Sequence, residues 1–213
     1  RHLGDAVYAT AYDKWKAIVD TLRQLKAEGR PVLVGTRSVL ASEHLSEMLS
    51  AAGLQHQVLN ARQDQEEAAV IARAGERGRI TVATNMAGRG TDIRLAPGVA
   101  QMGGLHVLAT ERHDARRVDR QLFGRSGRQG DPGSYQAIVS IEDEVVASIF
   151  GEPVLRFCKR FSQAGKPLPY WLGVVLVGIA QRIAERRHAR VRSDLLRIDD
   201  QVSDMLAFTG RAE

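Results

Sequence analysis

Pro31-Val-Leu-Val-Gly-Thr36 is a short, apolar, β-branched run set between polar segments. That is the pattern of a strand covered on both faces, and so of a sheet lying between layers of helices. Upstream, Trp15, Ile18, Val19, Leu22 and Leu25 recur at helical spacing between Asp13 and Glu28, and Gly29 with Pro31 ends the helix. Downstream, Ser38 or Ser42 opens a helix carrying Leu45, Met48 and Leu49, which Gly53 closes.

The alternation continues along the chain. Gln57-Val-Leu-Asn60, Arg79-Ile-Thr-Val-Ala83, Leu105-His-Val-Leu-Ala109 and Tyr135-Gln-Ala-Ile-Val-Ser-Ile141 read as strands, with helices over Glu66–Ala74 and Asp114–Phe123. Strands alternating with helices imply βαβ units, an α/β fold and a mainly parallel sheet with helices on both faces. Ligands of such sheets bind beyond the carboxyl ends of the strands, so the glycine-rich loops are expected to gather at that edge. Gly151, Glu152 and Pro153 mark a boundary near residue 150. It divides a domain over 1–150 from a helical segment over 151–213.

With 213 residues, 44% hydrophobic and 26% charged, the chain has the composition of a globular protein with a core of its own. Lysine occurs only at 14, 16, 26, 159 and 166, so arginine supplies nearly all of the cations behind a net charge of +5. That balance suits an anionic partner, whether nucleotide, nucleic acid or an acidic membrane surface. A lone cysteine, Cys158, excludes an internal disulfide framework and reads as a small buried apolar residue. The longest apolar run, Tyr170–Ala180, falls short of the ~20 residues a membrane-spanning helix needs and reads as a buried or partner-facing helix. Beginning at Arg1 rather than Met, the chain reads as a piece of a longer protein.

Gln121-Leu-Phe-Gly-Arg-Ser-Gly-Arg-Gln-Gly-Asp-Pro-Gly133 gathers four glycines, two arginines three residues apart and a carboxylate. The glycines permit tight turns and close approach, while Arg125 and Arg128 carry planar, permanently charged forks matched to phosphate oxygens. Such Gly-Arg runs also occur in exposed loops and nucleic-acid tails. A second stretch, Ala83-Thr-Asn-Met-Ala-Gly-Arg-Gly-Thr-Asp-Ile93, follows a strand and sets Thr91 and Asp92 after a Gly88-Arg-Gly90 turn. A hydroxyl and a carboxylate placed there could bind a ribose or orient an arginine, or simply cap a loop.

Together these two stretches resemble the fifth and sixth helicase-type motifs of SecA, the ATP-driven motor family of bacterial protein secretion. Pro31–Thr36, Val58-Leu-Asn-Ala61, Gly104–Arg112 and Ser140-Ile-Glu-Asp-Glu144 extend the resemblance over about residues 5 to 150. DEAD-box helicases share the Gly-Arg-x-Gly-Arg core without the Thr-Asn-Met-Ala-Gly-Arg-Gly-Thr-Asp string. The resemblance implies a RecA-like second motor domain, followed by the opening of a long helical scaffold at Ala180–Arg187 and Arg192–Asp200.

In this family ATP, with its Mg²⁺, is held mainly by a first motor domain. The sequence agrees: it has no Gly-Lys-Ser or Gly-Lys-Thr, and Gly165-Lys166 runs into Pro167. The resemblance implies that Arg128 and Arg125 act as arginine fingers. It also makes Asp131, Gln121, Asp92, Thr91 and Gly90 nucleotide-facing residues. Implied partners are that first domain, the SecYEG translocon and preproteins, at the cytoplasmic face of the plasma membrane with peripheral attachment. A superfamily 2 nucleic-acid helicase half is the alternative, and a stand-alone regulatory module docking through the 170–180 helix is a third. An aromatic content of 5%, with none interleaved among the arginines, disfavours base stacking on single strands. Glu142-Asp-Glu144 imitates a Walker B acid but reads as a helix-start cluster. His106 and His113 lack metal-ligand spacing and read as structural.

Overall fold

The computed structural model describes residues 1–59, 69–84 and 91–209. Strands β1 (Ala6–Tyr8), β2 (Val32–Thr36), β3 (Gln57–Leu59), β4 (Ile80–Thr84), β5 (Leu105–Ala109) and β6 (Gly133–Ser140) form one sheet in the order β1-β6-β5-β2-β4-β3. Every pairing is parallel. Helices are α1 (Ala11–Ala27), α2 (Val39–Ala51), α3 (Arg116–Phe123), α4 (Glu144–Ala147), α5 (Glu152–Lys159) and α6 (Tyr170–Thr209). Residues 69–72 are helical and run into a 3₁₀ turn at Arg73–Gly75; the expected start of that helix lies outside the described residues.

Strict alternation along the strands builds two cores. Val32, Val34, Ile80, Val82, Leu108 and Ile138 point to one face, where Ile18, Val19, Leu22 and Leu25 of α1 and Leu45 and Leu49 of α2 cover them. Leu33, Ala83, Val107, Ala137 and Val139 point to the other, under Ile71, Ile93, Leu122 of α3, Val145 and Val146 of α4, and Val177 and Ala180 of α6. Ser38 caps α2 by accepting from Ala41 N at 3.1 Å, and Thr10 caps α1 by accepting from Asp13 N at 3.1 Å.

The edge strand β1 falls outside the sequence expectation, because three residues are too short to carry a period. It pairs Ala6–Tyr8 with Ile138–Ser140, and α6 lies on it closely enough that a Cβ on Gly173 would meet Val7 Cβ at 2.6 Å. The apolar 170–180 run is therefore split. Val177 and Ala180 are buried, while Tyr170, Trp171, Val175 and Ile179 are exposed. Farther along α6, Leu195 and Ile198 are exposed as well.

Glu142-Asp-Glu144 does begin a helix. Asp143 occupies the N-cap of α4 and pairs, buried, with Lys14 Nζ at 2.5 Å, tying α1 to the end of β6. Burial pushes the Asp143 carboxyl up to about 6, against the pull of Lys14. Cys158 is buried, as its apolar reading requires.

His106 is wholly buried in β5, with Nδ1 2.8 Å from Ser134 Oγ, which also accepts from Arg30 Nη2 at 2.7 Å. Burial, and then the Arg30 charge, lower its pKa from 6.5 to about 4. The unfolded chain thus takes up a proton below pH 6.5 that the folded chain refuses, and stability from this group is lost as pH falls toward 4. His106→Gln removes that term. Compared with the unsubstituted protein, the variant should gain up to about 3 kcal/mol between pH 7 and pH 4 in urea unfolding. A gap that does not change with pH would contradict the assignment.

Candidate functional site

α3 delivers the arginine loop. It leaves the carboxyl end of β5 and runs back across the sheet, seating Leu122 over β2 at Gly35, where any Cβ would come within 2.4 Å of Leu122 Cδ2. The chain then turns through 124–132 into Gly133, the first residue of β6, which lies beside Leu105 at the start of β5. The loop therefore sits at the amino edge of the sheet, not the carboxyl edge the general rule suggests. The cause is chain direction: the motif spans a helix end and a strand start, and in a parallel sheet a helix returning to a strand arrives at its amino end.

Asp92 and Arg128 meet there, 36 residues apart in sequence. Arg128 Nη1 donates to Asp92 Oδ1 at 3.3 Å and to the Thr91 carbonyl at 3.4 Å, and Nε donates to the Gly124 carbonyl at 3.0 Å. Gln129 Nε2 donates to Asp92 Oδ2 at 2.6 Å, from a backbone at φ +53° that side chains rarely adopt. The Arg128 and Asp92 side chains are 38% and 37% exposed, so their pairing is worth about 0–1 kcal/mol. Arg128 is oriented but easily released.

Asp131 stands exposed on the rim of a hollow of about 290 Å³ that Asp92, Arg94, Arg128 and Gln129 also line. Arg125 lies deeper. Burial, and then the neighbouring Arg128 charge, lower its pKa, which a second anion nearby would relieve. Thr91 takes part through its carbonyl. Gln121 is exposed on α3, and Gly90 lies outside the described residues. A larger hollow of about 600 Å³ opens between α3 and α6, but its charged lining is largely paired internally. Donor chemistry, rather than size, places the candidate site at the arginine loop.

Sequence reading missed what holds α3. Asp119 is buried and accepts from His113 N at 3.0 Å, His113 Nδ1 at 2.9 Å, Arg112 Nη1 at 3.2 Å and Gln181 Nε2 at 2.8 Å. Burial alone would raise its pKa, but His113, Arg112 and Gln181 hold it below its usual value. The signal was present: Asp119 and Leu122 share the inward face of α3 at i, i+3, and a carboxylate on that face requires donors. His113, expected to be structural, orients this carboxylate.

The model of the SecA P-loop domain matches residues 1–99 and 95–164. The chain belongs to the SecA family. It is 48% identical over its whole length to protein translocase subunit SecA 2 of Nitrosospira multiformis, and 52% identical to protein translocase subunit SecA 3 of Magnetococcus marinus. It spans 32% of each of these relatives. Among solved structures, E. coli DEAD-box protein SrmB, in complex with regulator of ribonuclease activity A, superposes with a TM-score of 0.53 at 23% identity. The match covers 71% of this chain and 89% of that one, and shows a shared RecA-like fold.

The loose hold of Asp92 on the loop can be measured. Asp92→Ala should speed amide exchange across 125–131 while leaving β5 protected, with Tm shifting by no more than a few degrees. Unchanged exchange in the loop would show that Asp92 does not hold it.

Proposed function

We propose that this chain is the second half of an ATP-driven protein-translocation motor, acting on ATP held by a first motor domain. The observation that carries the reading is the Arg128 guanidinium. It is half-exposed at the sheet edge, oriented by one carboxylate and two carbonyls at 3.0–3.4 Å, and backed by a second arginine.

Two guanidinium groups and the small polar hollow fit the outer oxygens of a polyphosphate. In this reading Mg²⁺ is bound mainly by the first domain. ATP supplies the transferable phosphoryl group. Arg128, exchanging Asp92 for phosphate oxygen as the domains close, stabilises the charge that develops there, and Arg125 reinforces it. Such fingers are worth ~10³ to 10⁵ in rate in GTPases. Asp92 is the resting partner of Arg128, while Asp131, Thr91 and Gln121 line the approach to the nucleotide.

Coupled to closure, hydrolysis would drive preprotein movement through a SecYEG-type channel. The protein would work at the cytoplasmic face of the membrane as a peripheral subunit. No helix among the described residues is long and apolar enough to cross a membrane. Membership of the SecA family favours a polypeptide substrate over nucleic acid.

In the full-length protein Arg128→Ala should slow ATP hydrolysis about tenfold or more, with nucleotide affinity changed far less. Stimulation should come from translocon-containing membranes with preprotein. An unchanged hydrolysis rate would remove the finger assignment, and stimulation by RNA or DNA alone would favour a helicase.

A further inference from the structure

α3 is a poor helix by its own sequence. It has eight residues, too few to be stable alone, and its N-cap is Ala115, whose side chain cannot accept a hydrogen bond. The missing acceptor comes from α6. Arg116 N, the first backbone donor of α3, donates to Glu185 Oε1 at 2.6 Å. One turn earlier on α6, Gln181 Nε2 donates to Asp119 Oδ2 at 2.8 Å and to the His113 carbonyl at 2.8 Å. Another turn back, the Gly178 carbonyl accepts from Arg116 Nη2 at 3.4 Å. Toward the other end His188 Nδ1 lies 3.9 Å from Asp114, which Arg37 also reaches at 3.1 Å. Positions 178, 181, 185 and 188 fall on one face of a helix, so α6 presents a continuous polar edge to the start of α3.

The other end of α3 is the arginine loop. Gly124 directly follows the helix, and its carbonyl holds Arg128 Nε. α6 holds the first turn of α3, and Leu122 packed at Gly35 holds its last, so a helix this short has one seat between α6 and the loop.

We infer that Gln181 and Glu185 of α6 are positioning residues for the arginine loop: they cap and seat α3, so the placement of the long helix sets where Arg125 and Arg128 stand. Gln181 is buried and directs its amide nitrogen to α3 and to the turn before it, while Glu185 supplies a cap that α3 cannot provide for itself. Beyond this polar edge α6 continues to Thr209, far past the last strand. The seat of α6 against α3 thereby fixes where the nucleotide-facing loop begins. This inference rests on the finger reading of Arg128.

The test uses the full-length protein with four variants. Gln181→Met keeps volume and helix propensity but cannot donate; Glu185→Leu removes the cap acceptor; Glu185→Gln keeps it; Arg128→Ala reports on the fingers. Gln181→Met and Glu185→Leu should each lower kcat about threefold to tenfold with KM for ATP within about twofold, when rates are normalised to nucleotide-binding sites. Glu185→Gln should keep more than about half of kcat, because an amide oxygen still accepts from Arg116 N. Loss of kcat in proportion to lost binding sites, or equal damage from Glu185→Gln and Glu185→Leu, would reduce both residues to structural roles and overturn the inference. If Arg128→Ala slows hydrolysis and neither α6 variant does, the inference falls and the finger reading stands. If Arg128→Ala has no effect, both fall.

Discussion

A buried carboxylate with four donors sets the geometry of the edge that carries the arginine loop. Asp119 faces inward on α3, and leaving it unpaired would cost several kcal/mol, so the chain around it is constrained to deliver His113 N, His113 Nδ1, Arg112 Nη1 and Gln181 Nε2 together. Arg112 in turn pairs with Asp5, whose other oxygen accepts from Ala137 N at 3.1 Å. One charge thereby ties the N-terminal segment, β6, the turn after β5, α3 and α6 into a single unit. Removing one donor leaves part of that charge uncompensated in the interior.

Beside this tightly held network lies a loosely held one. Among the described residues Arg128 has a single carboxylate partner, at 3.3 Å and more than a third exposed, and the loop around it includes a strained Gln129 backbone. The contrast in magnitude, several kcal/mol against about one, has a consequence for function. α3 stays fixed while the guanidinium at its end can exchange one anion for another. A residue that must act on a ligand held by another domain needs this combination of a rigid support and a weak resting contact.

Most of the architecture is legible in the sequence because buried parallel strands leave a strong signal. Val32–Thr36, Ile80–Thr84 and Leu105–Ala109 are apolar without interruption, and Ser38 caps the helix it precedes. β1 was not legible, since three residues at a sheet edge carry no period. Nor was the position of the arginine loop at the amino edge, which depends on chain direction and not on composition. At the site, Arg128 and Asp92 could be named from their glycine-flanked settings. Their contact could not, because it closes over 36 residues of chain. The roles of Gln181 and Glu185 escaped for another reason. On a helix they look like ordinary polar positions, and only the uncapped Ala115 opposite gives them a purpose.

The central claim is that the arginine loop is half of an active site whose other half lies elsewhere in the protein. The most direct measurement is steady-state ATP hydrolysis by residues 1–213 as a separate chain, set beside hydrolysis by the full-length protein that contains them. The account predicts turnover for the full-length protein and none above background for the separate chain. Turnover by the separate chain that a substitution within it abolishes would contradict the account.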